Sequence, residues 1–159
     1  MVWAGIWEEE IIGPYFFNSV TGESYLEFLP TFLFDYLENV PVHRRQNFFF
    51  QQDGAPPHFA VSVRNYLNQT FPGRWIGRRG PVEWPPRSPD LSPLDFFLWG
   101  HLKSVVYQNR PRTLNDLMDA ITTECQMIST VTLNKVKDSF IKRIHACIKA
   151  DGEQLEHLL

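Results

Sequence analysis

Two aspartates stand where the residue pattern gives a carboxylate something to do. Asp53 follows the apolar run Phe48-Phe49-Phe50-Gln51-Gln52 directly and precedes Gly54-Ala55-Pro56-Pro57. The run suits a strand covered on both faces, which puts Asp53 at a strand's carboxyl end, where the ligand sites of α/β sheets collect. An ordinary Asp-Gly turn is the plainer reading, but Pro56-Pro57 prevents the second strand of a tight hairpin from resuming. Asp95 lies in Ser92-Pro93-Leu94-Asp95, with a helix-capping serine, a proline at the first helical position and an acid at the third. That is a strong helix start, and it makes a capping carboxylate the plainer reading of Asp95. At about 100° per residue Asp95 also shares a stripe with Leu98, Trp99, Leu102 and Val106, which predicts that it faces the core. An ionised carboxylate there is costly unless it is paired or bound to a cation. Asp53 and Asp95 are therefore expected to converge, from a strand end and a helix start, on one divalent-metal site suited to phosphoryl transfer.

The elements that must position these residues can be read along the chain. Residues 1–7 and 11–17 are short aromatic and aliphatic stretches separated by Glu8-Glu9-Glu10, which predicts two strands and a charged turn. Thr21 to Ser24 offers helix-start residues, and Tyr25, Phe28, Leu29, Phe32, Leu33 and Tyr36 recur at helical spacing, with Pro30 predicting a kink or break. A turn over 41–45, the interior strand over 47–52, a helix over 59–71 and a short strand near 74–76 follow. A loop rich in Gly, Pro and Arg then runs from Gly77 to Pro93. Three helices are predicted in the remainder, over 93–108, 113–129 and 132–149. Thr113 with Asp116 forms a capping box, Thr132 caps the last helix, and Gly152 lies just past its end. Leu133, Val136, Phe140, Ile144, Cys147 and Ile148 form its apolar stripe, while its Lys and Arg residues make a solvated face.

Composition bounds the whole. With 159 residues, 43% hydrophobic and 14% aromatic, the chain has one domain's length and enough apolar material for a core. Its apolar runs are too short for a membrane span, and its first residues lack the features of a secretory signal, so an intracellular compartment is expected. Cys125 and Cys147 have no metal-knuckle spacing and read as two core thiols. The net charge of −3 hides a division. Residues 1–42 hold seven acids and no Lys or Arg, whereas 43–149 hold all fifteen basic residues against eight acids. A polyanionic partner therefore stays open despite the acidic mean, because binding responds to a local face.

Phe49-Phe50-Gln51-Gln52-Asp53-Gly54-Ala55-Pro56-Pro57-His58, taken with Trp84-Pro85-Pro86-Arg87-Ser88-Pro89-Asp90-Leu91-Ser92-Pro93-Leu94-Asp95-Phe96-Phe97-Leu98-Trp99, resembles the catalytic domain of the Tc1/mariner transposases. Val2-Trp3-Ala4-Gly5-Ile6 and Gly13-Pro14 resemble that family's second and third strands, so the likeness covers most of the chain. It implies an α/β, ribonuclease-H-like mixed sheet flanked by helices, with residues 1–108 forming an incomplete catalytic core and 109–159 a helical C-terminal part of the same domain. It also implies two Mg²⁺ or Mn²⁺ ions, with Asp53 and Asp95 as the second and third acids of a catalytic, metal-binding triad. Forty-one residues lie between them, which puts the chain in a long-linker subgroup. Asp90 belongs to the shared Ser-Pro-Asp-Leu turn, where the family reading makes it structural.

His58 matches the motif without being a triad member and reads as a histidine hydrogen-bonded beside the site. Arg74, Arg78, Arg79 and Arg87 flank the third acid and are candidate DNA-phosphate contacts, with plain surface solvation as an equal account. The resemblance implies DNA as partner, a homodimer in the intact family member, the nucleus as compartment, and neither a membrane nor a small-molecule cofactor. In the family the first triad acid lies on a strand before the segment matching Val2-Trp3, so the sequence is expected to be an N-terminally truncated fragment. Lacking that first strand and the DNA-recognition region, it is expected to be inactive alone. The rivals are a non-catalytic nucleic-acid-binding or interaction module derived from a transposable element and, less suited to the paired motifs, an unrelated two-carboxylate hydrolase.

Overall fold

The computed structural model describes residues 1–84 and 88–152. They divide into two compact units, one made of Met1 and the residues from Phe17 through Trp84, the other of Val2–Phe16 and the residues from Ser88 onward.

In the first unit, helix α1 (Gly22–Phe28) begins at Thr21, whose hydroxyl accepts from the Ser24 N–H at 3.2 Å while the Ser24 hydroxyl accepts from the Thr21 N–H at 2.9 Å. Pro30 does not break the helix. The chain passes instead through a wide π-type segment, Leu29–Phe34, into the short helix α2 (Asp35–Glu38). A proline has no N–H to give the preceding turn, and a wider turn accommodates its ring without ending the helix. The Thr31 hydroxyl donates to the Glu27 carbonyl at 2.7 Å, tying down one carbonyl of that turn. The expected turn over 41–45 contains a helical turn, α3 (Val42–Arg45).

The expected strand over 47–52 is reduced to β3 (Phe50–Gln51), and it is not covered on both faces: Phe49 is 54% exposed. Helix α4 (Val61–Thr70) leads to β4 (Trp75–Gly77), which pairs in parallel with β3 through Phe50 opposite Trp75 and Gln51 opposite Ile76. A short strand inside the expected loop, β5 (Val82–Glu83), pairs in parallel with β4. The segment joining them is far too short for a crossover helix. It coils tightly instead, with Gly80 N–H donating to the Gly77 carbonyl at 3.0 Å and Arg79 in the left-handed region at φ +60°. Gly80 is required here, because a Cβ at this position would come within 2.7 Å of the fully buried Trp75 ring. Tyr25, Phe28, Leu29, Leu33, Val63, Leu67 and Trp75 form this unit's core. Each such side chain contributes about 1.5–3 kcal/mol by leaving water.

The second unit opens with a hairpin of β1 (Val2–Trp7) and β2 (Glu10–Phe16), paired antiparallel, with a register shift between Trp3 and Gly5. Glu10 belongs to the strand, and the turn is Glu8-Glu9, with Glu8 at φ +52°. Ala4 packs with Leu98, Leu102 and Cys125, joined by Ile6, Ile11, Leu94 and Ile121.

Three helical stretches follow the Ser88–Ser92 turn: a π-type segment (Leu94–Leu98), which carries Asp95 and is continuous with α5 (Trp99–Val106), then α6 (Leu114–Met127) and α7 (Thr130–Lys149). The Thr113–Asp116 capping box forms as expected, but α7 is capped by Ser129, whose hydroxyl accepts from the Thr132 N–H at 3.2 Å, so Thr132 lies inside the helix. Leu133 and Val136 are buried, whereas Ile148, at the far end of the predicted stripe, is 72% exposed. Of the two thiols Cys125 is buried, and that burial raises its pKa, while Cys147 is partly exposed. Among the described residues no helix is long and apolar enough to cross a membrane.

Candidate metal and nucleic-acid site

The loop after β3 is built by its own residues. The Gln52 N–H still donates to the Ile76 carbonyl at 2.9 Å, extending the pairing with β4 by one residue, and the chain leaves the sheet at Asp53. Oδ1 of Asp53 accepts from the Ala55 N–H at 3.0 Å, a side-chain turn that aspartate favours. Pro56 and Pro57 then set a 3-10 turn (Pro56–Phe59), in which the His58 N–H donates to the Ala55 carbonyl at 2.9 Å. That turn brings His58 back onto Asp53, with Nδ1 2.6 Å from Oδ1.

The His58 hydrogen bond, its charge and the Ala55 N–H together hold the Asp53 carboxyl below the usual carboxylate range, against the opposing effect of partial burial. An ionised carboxylate can only accept, so the proton lies on Nδ1 of His58. Asp53 remains 54% exposed in its side chain, and its Oδ2 accepts no hydrogen bond from the described residues.

His58 is held in turn from behind. Its ring lies against that of Tyr25 at 4.3 Å between centroids, and its carbonyl accepts from Gln52 Nε2 at 2.7 Å. Gln52 Oε1 accepts from the Tyr25 hydroxyl at 3.1 Å. Neither Tyr25 nor Gln52 was singled out in the sequence, where a buried glutamine cannot be told from a surface one.

Two of the candidate phosphate-binding arginines border the same loop. The Arg78 guanidinium sits 4.3 Å and that of Arg79 5.6 Å from the centroid of the Phe59 ring, next to His58. The Arg78 stem passes alongside Gly54. Both arginines are exposed, so their charge faces solvent over an aromatic platform. Arg74 is engaged elsewhere: its guanidinium donates to the Gln46 carbonyl, and it lines a cleft of about 280 Å³ with Phe34, Leu37, Arg45 and Phe48. Arg87 lies outside the described residues.

In the second unit the Ser88–Ser92 stretch is a tight 3-10 turn (Pro89–Leu91), and the Asp95 N–H donates to the Ser92 carbonyl at 2.9 Å. Asp95 is exposed, not turned to the core as its helical phase predicts. The reason is the winding: over Leu94–Leu98 the turn is π-type, with Trp99 N–H donating to the Leu94 carbonyl, so angles counted on an α-helix drift out of phase. Leu98, Leu102 and Val106 keep the core stripe, and the carboxylate escapes the cost of desolvation. Arg143 on α7 braces the preceding turn. It donates to the Asp90 carbonyl at 3.3 Å, stands 3.9 Å from the Asp90 carboxylate and lies 4.4 Å from the Phe96 ring centroid. Nothing in the sequence pairs residues so far apart.

The donor chemistry fits a hard divalent cation, since both aspartates are exposed and Asp53 is held ionised. Among the described residues no cluster of three or more His, Cys, Asp or Glu forms a ready-made cage.

No family profile matches the sequence. It is 29% identical over 160 residues to the Tc3 transposase of Caenorhabditis elegans, covering 99% of this chain and 45% of that protein. It is also 29% identical over 109 residues to the Tc1 transposase of the same organism, covering 67% of this chain and 36% of that one. The chain thus spans less than half the length of these relatives. Its structure superposes on the catalytic domain of the Mos1 mariner transposase with a TM-score of 0.79 at 20% identity, over 98% of this chain and 74% of that one. The chain is thus similar in sequence to the Tc3 and Tc1 transposases and has the fold of the Mos1 catalytic domain.

Proposed function

We propose that the chain is catalytic-domain material of a cut-and-paste DNA transposase, with Asp53 and Asp95 as carboxylate ligands for the divalent ions of DNA strand cleavage and transfer. The observation that carries this reading is Asp53 itself: an ionised, exposed carboxylate with one oxygen pinned by His58 and Ala55 and the other accepting nothing from the described residues, inside the motif that resembles the family. Support comes from the Mos1 catalytic domain, solved with Mn and with Mg, and from the Mos1 strand-transfer and paired-end complexes. When bound, such ions activate the attacking oxygen and stabilise the leaving one. The chain's own residues hold and orient: His58 keeps Asp53 ionised and aimed, Arg143 braces the turn before Asp95, and Arg78 and Arg79 offer positive charge to a DNA phosphate. The paired-end complexes of Mos1 support dimeric assembly on DNA as part of the same reading.

The test is Mn²⁺ binding followed by electron paramagnetic resonance in the full chain and in Asp53→Asn and Asp95→Asn. Each substitution is expected to weaken binding at least tenfold. Equal affinity in all three would count against the reading.

A further inference from the structure

Behind the Asp53 carboxylate, two buried side chains form a short hydrogen-bonded chain that ends on His58. Tyr25 is fully buried and Gln52 is 6% exposed, yet both carry polar groups that the first unit's core must satisfy. The Tyr25 hydroxyl donates to Gln52 Oε1 at 3.1 Å, and Gln52 Nε2 donates to the His58 carbonyl at 2.7 Å. The Tyr25 ring supports the imidazole at 4.3 Å with 34° between planes. Gln52 is anchored by its backbone N–H, which donates to the Ile76 carbonyl at 2.9 Å, and its buried side chain lies alongside Gly77. His58 is therefore gripped by its carbonyl and by one ring face, and the held ring places Nδ1 2.6 Å from Asp53 Oδ1. Oδ1 also accepts from Ala55, so its acceptor capacity is used, while Oδ2 of the half-exposed side chain accepts nothing from the described residues.

We propose that Gln52 and Tyr25 are positioning residues that act through His58 to keep Asp53 a one-oxygen ligand, offering Oδ2 alone to a divalent cation. The inference rests on the reading of Asp53 as a metal ligand and adds what sets that ligand's geometry. A net hydrogen bond adds little to stability, because a buried amide must first lose its water. Fixing the orientation of a ligating group is where such a network has its larger effect, since loss of an outer partner commonly lowers metal affinity 10–100-fold. Because each polar group in the chain has a partner, removing one member leaves the next unsatisfied and loosens the imidazole.

The experiment uses the full chain with Mn²⁺ itself as the probe, comparing Gln52→Met, Tyr25→Phe and Asp53→Asn. Gln52→Met removes both amide bonds at similar volume, and Tyr25→Phe keeps the ring against His58 while removing the hydroxyl. Mn²⁺ affinity is expected to fall about tenfold in Gln52→Met and less in Tyr25→Phe. In both, the imidazole ¹⁵N spectrum is expected to show the His58 Nδ1–H losing its hydrogen-bonded signature. If Gln52→Met does not fold, Tyr25→Phe decides alone. Unchanged Mn²⁺ affinity and an unchanged His58 signal in a folded variant, with only the melting temperature lowered, would make the network merely structural and overturn the proposal. Should Asp53→Asn bind Mn²⁺ as tightly as the original chain, the metal-ligand reading falls, and this inference falls with it.

Discussion

The Asp53 carboxylate, the imidazole that holds it and the two guanidinium groups beside it lie on one short loop and the turn next to it, and single side chains decide what each can reach. The position of Asp53 at a strand end is legible in the sequence because Pro56-Pro57 prevents a tight hairpin, whereas His58 is picked out only by the motif that resembles the family. The platform beneath Arg78 and Arg79 is not, because Phe59 meets them only once β4 and the coil after it are in place. On the proposed reading Phe59 fixes both charges where a phosphate meets them. Phe59→Leu should therefore weaken binding of a short DNA duplex about two- to fivefold at low salt, as expected for losing exposed cation–π contacts. Fluorescence anisotropy checks this, and binding unchanged by the substitution would assign the two arginines to solvation alone. Arg78→Gln should lower the slope of log affinity against log salt by about one, the signature of one lost phosphate contact.

At the scale of elements, the periodic segments were readable and the irregular windings were not. Helix α6 and its Thr113–Asp116 box follow from composition and spacing, because capping chemistry is local. The two π-type segments were invisible, since a wider turn leaves the residue types unchanged while rotating everything past it. For Asp95 that difference separates a buried carboxylate from an exposed one.

The capping box carries a pH dependence. Asp116 is held below its ordinary pKa by Thr113, through hydrogen bonding, and by the Arg112 and Thr113 N–H groups. A depressed carboxylate stabilises the fold fully above its unfolded pKa, and that contribution is lost as pH falls through the folded one. The first turn of α6 should therefore loosen in acid below the ordinary aspartate range. Backbone chemical shifts of Asn115 to Leu117 should report it, and Asp116→Asn should lack the transition. The same acid transition in that variant would assign it to another group. In the other unit, Gly80→Ala forces a methyl against a Trp75 ring that cannot move, because its Nε1 is bonded to Asn68 at 2.9 Å. A loss of about 1–3 kcal/mol is expected from urea unfolding, and an unchanged midpoint would mean that the coil after β4 yields freely.

For the molecule as a whole, the α/β class and the order of the longer strands and helices were legible, because hydrophobic period and turn residues speak to them directly, while the short β5 and α3 were not. The interior strand was overestimated: three consecutive phenylalanines look buried on both faces, yet the ladder is short and Phe49 is exposed. Braces between distant segments, such as Arg143 on Asp90, were beyond reach because no local pattern announces them. The acidic net charge also reads differently once its distribution is known. The basic residues begin only at Arg44, and the same stretch holds both candidate ligands, so the sum of −3 says little about the face a polyanion would meet.

The proposed function assigns Asp53 and Asp95 as carboxylate ligands for divalent ions. It is tested most directly by adding substoichiometric Mn²⁺ to the ¹⁵N-labelled chain and mapping which amide signals broaden. Selective broadening is expected at Asp53 and Gly54 and at Asp95 and Phe96, with Asp53→Asn and Asp95→Asn each abolishing the effect at the substituted site. Broadening centred instead on the acidic Glu8-Glu9 turn, or spread evenly over the chain, would contradict it.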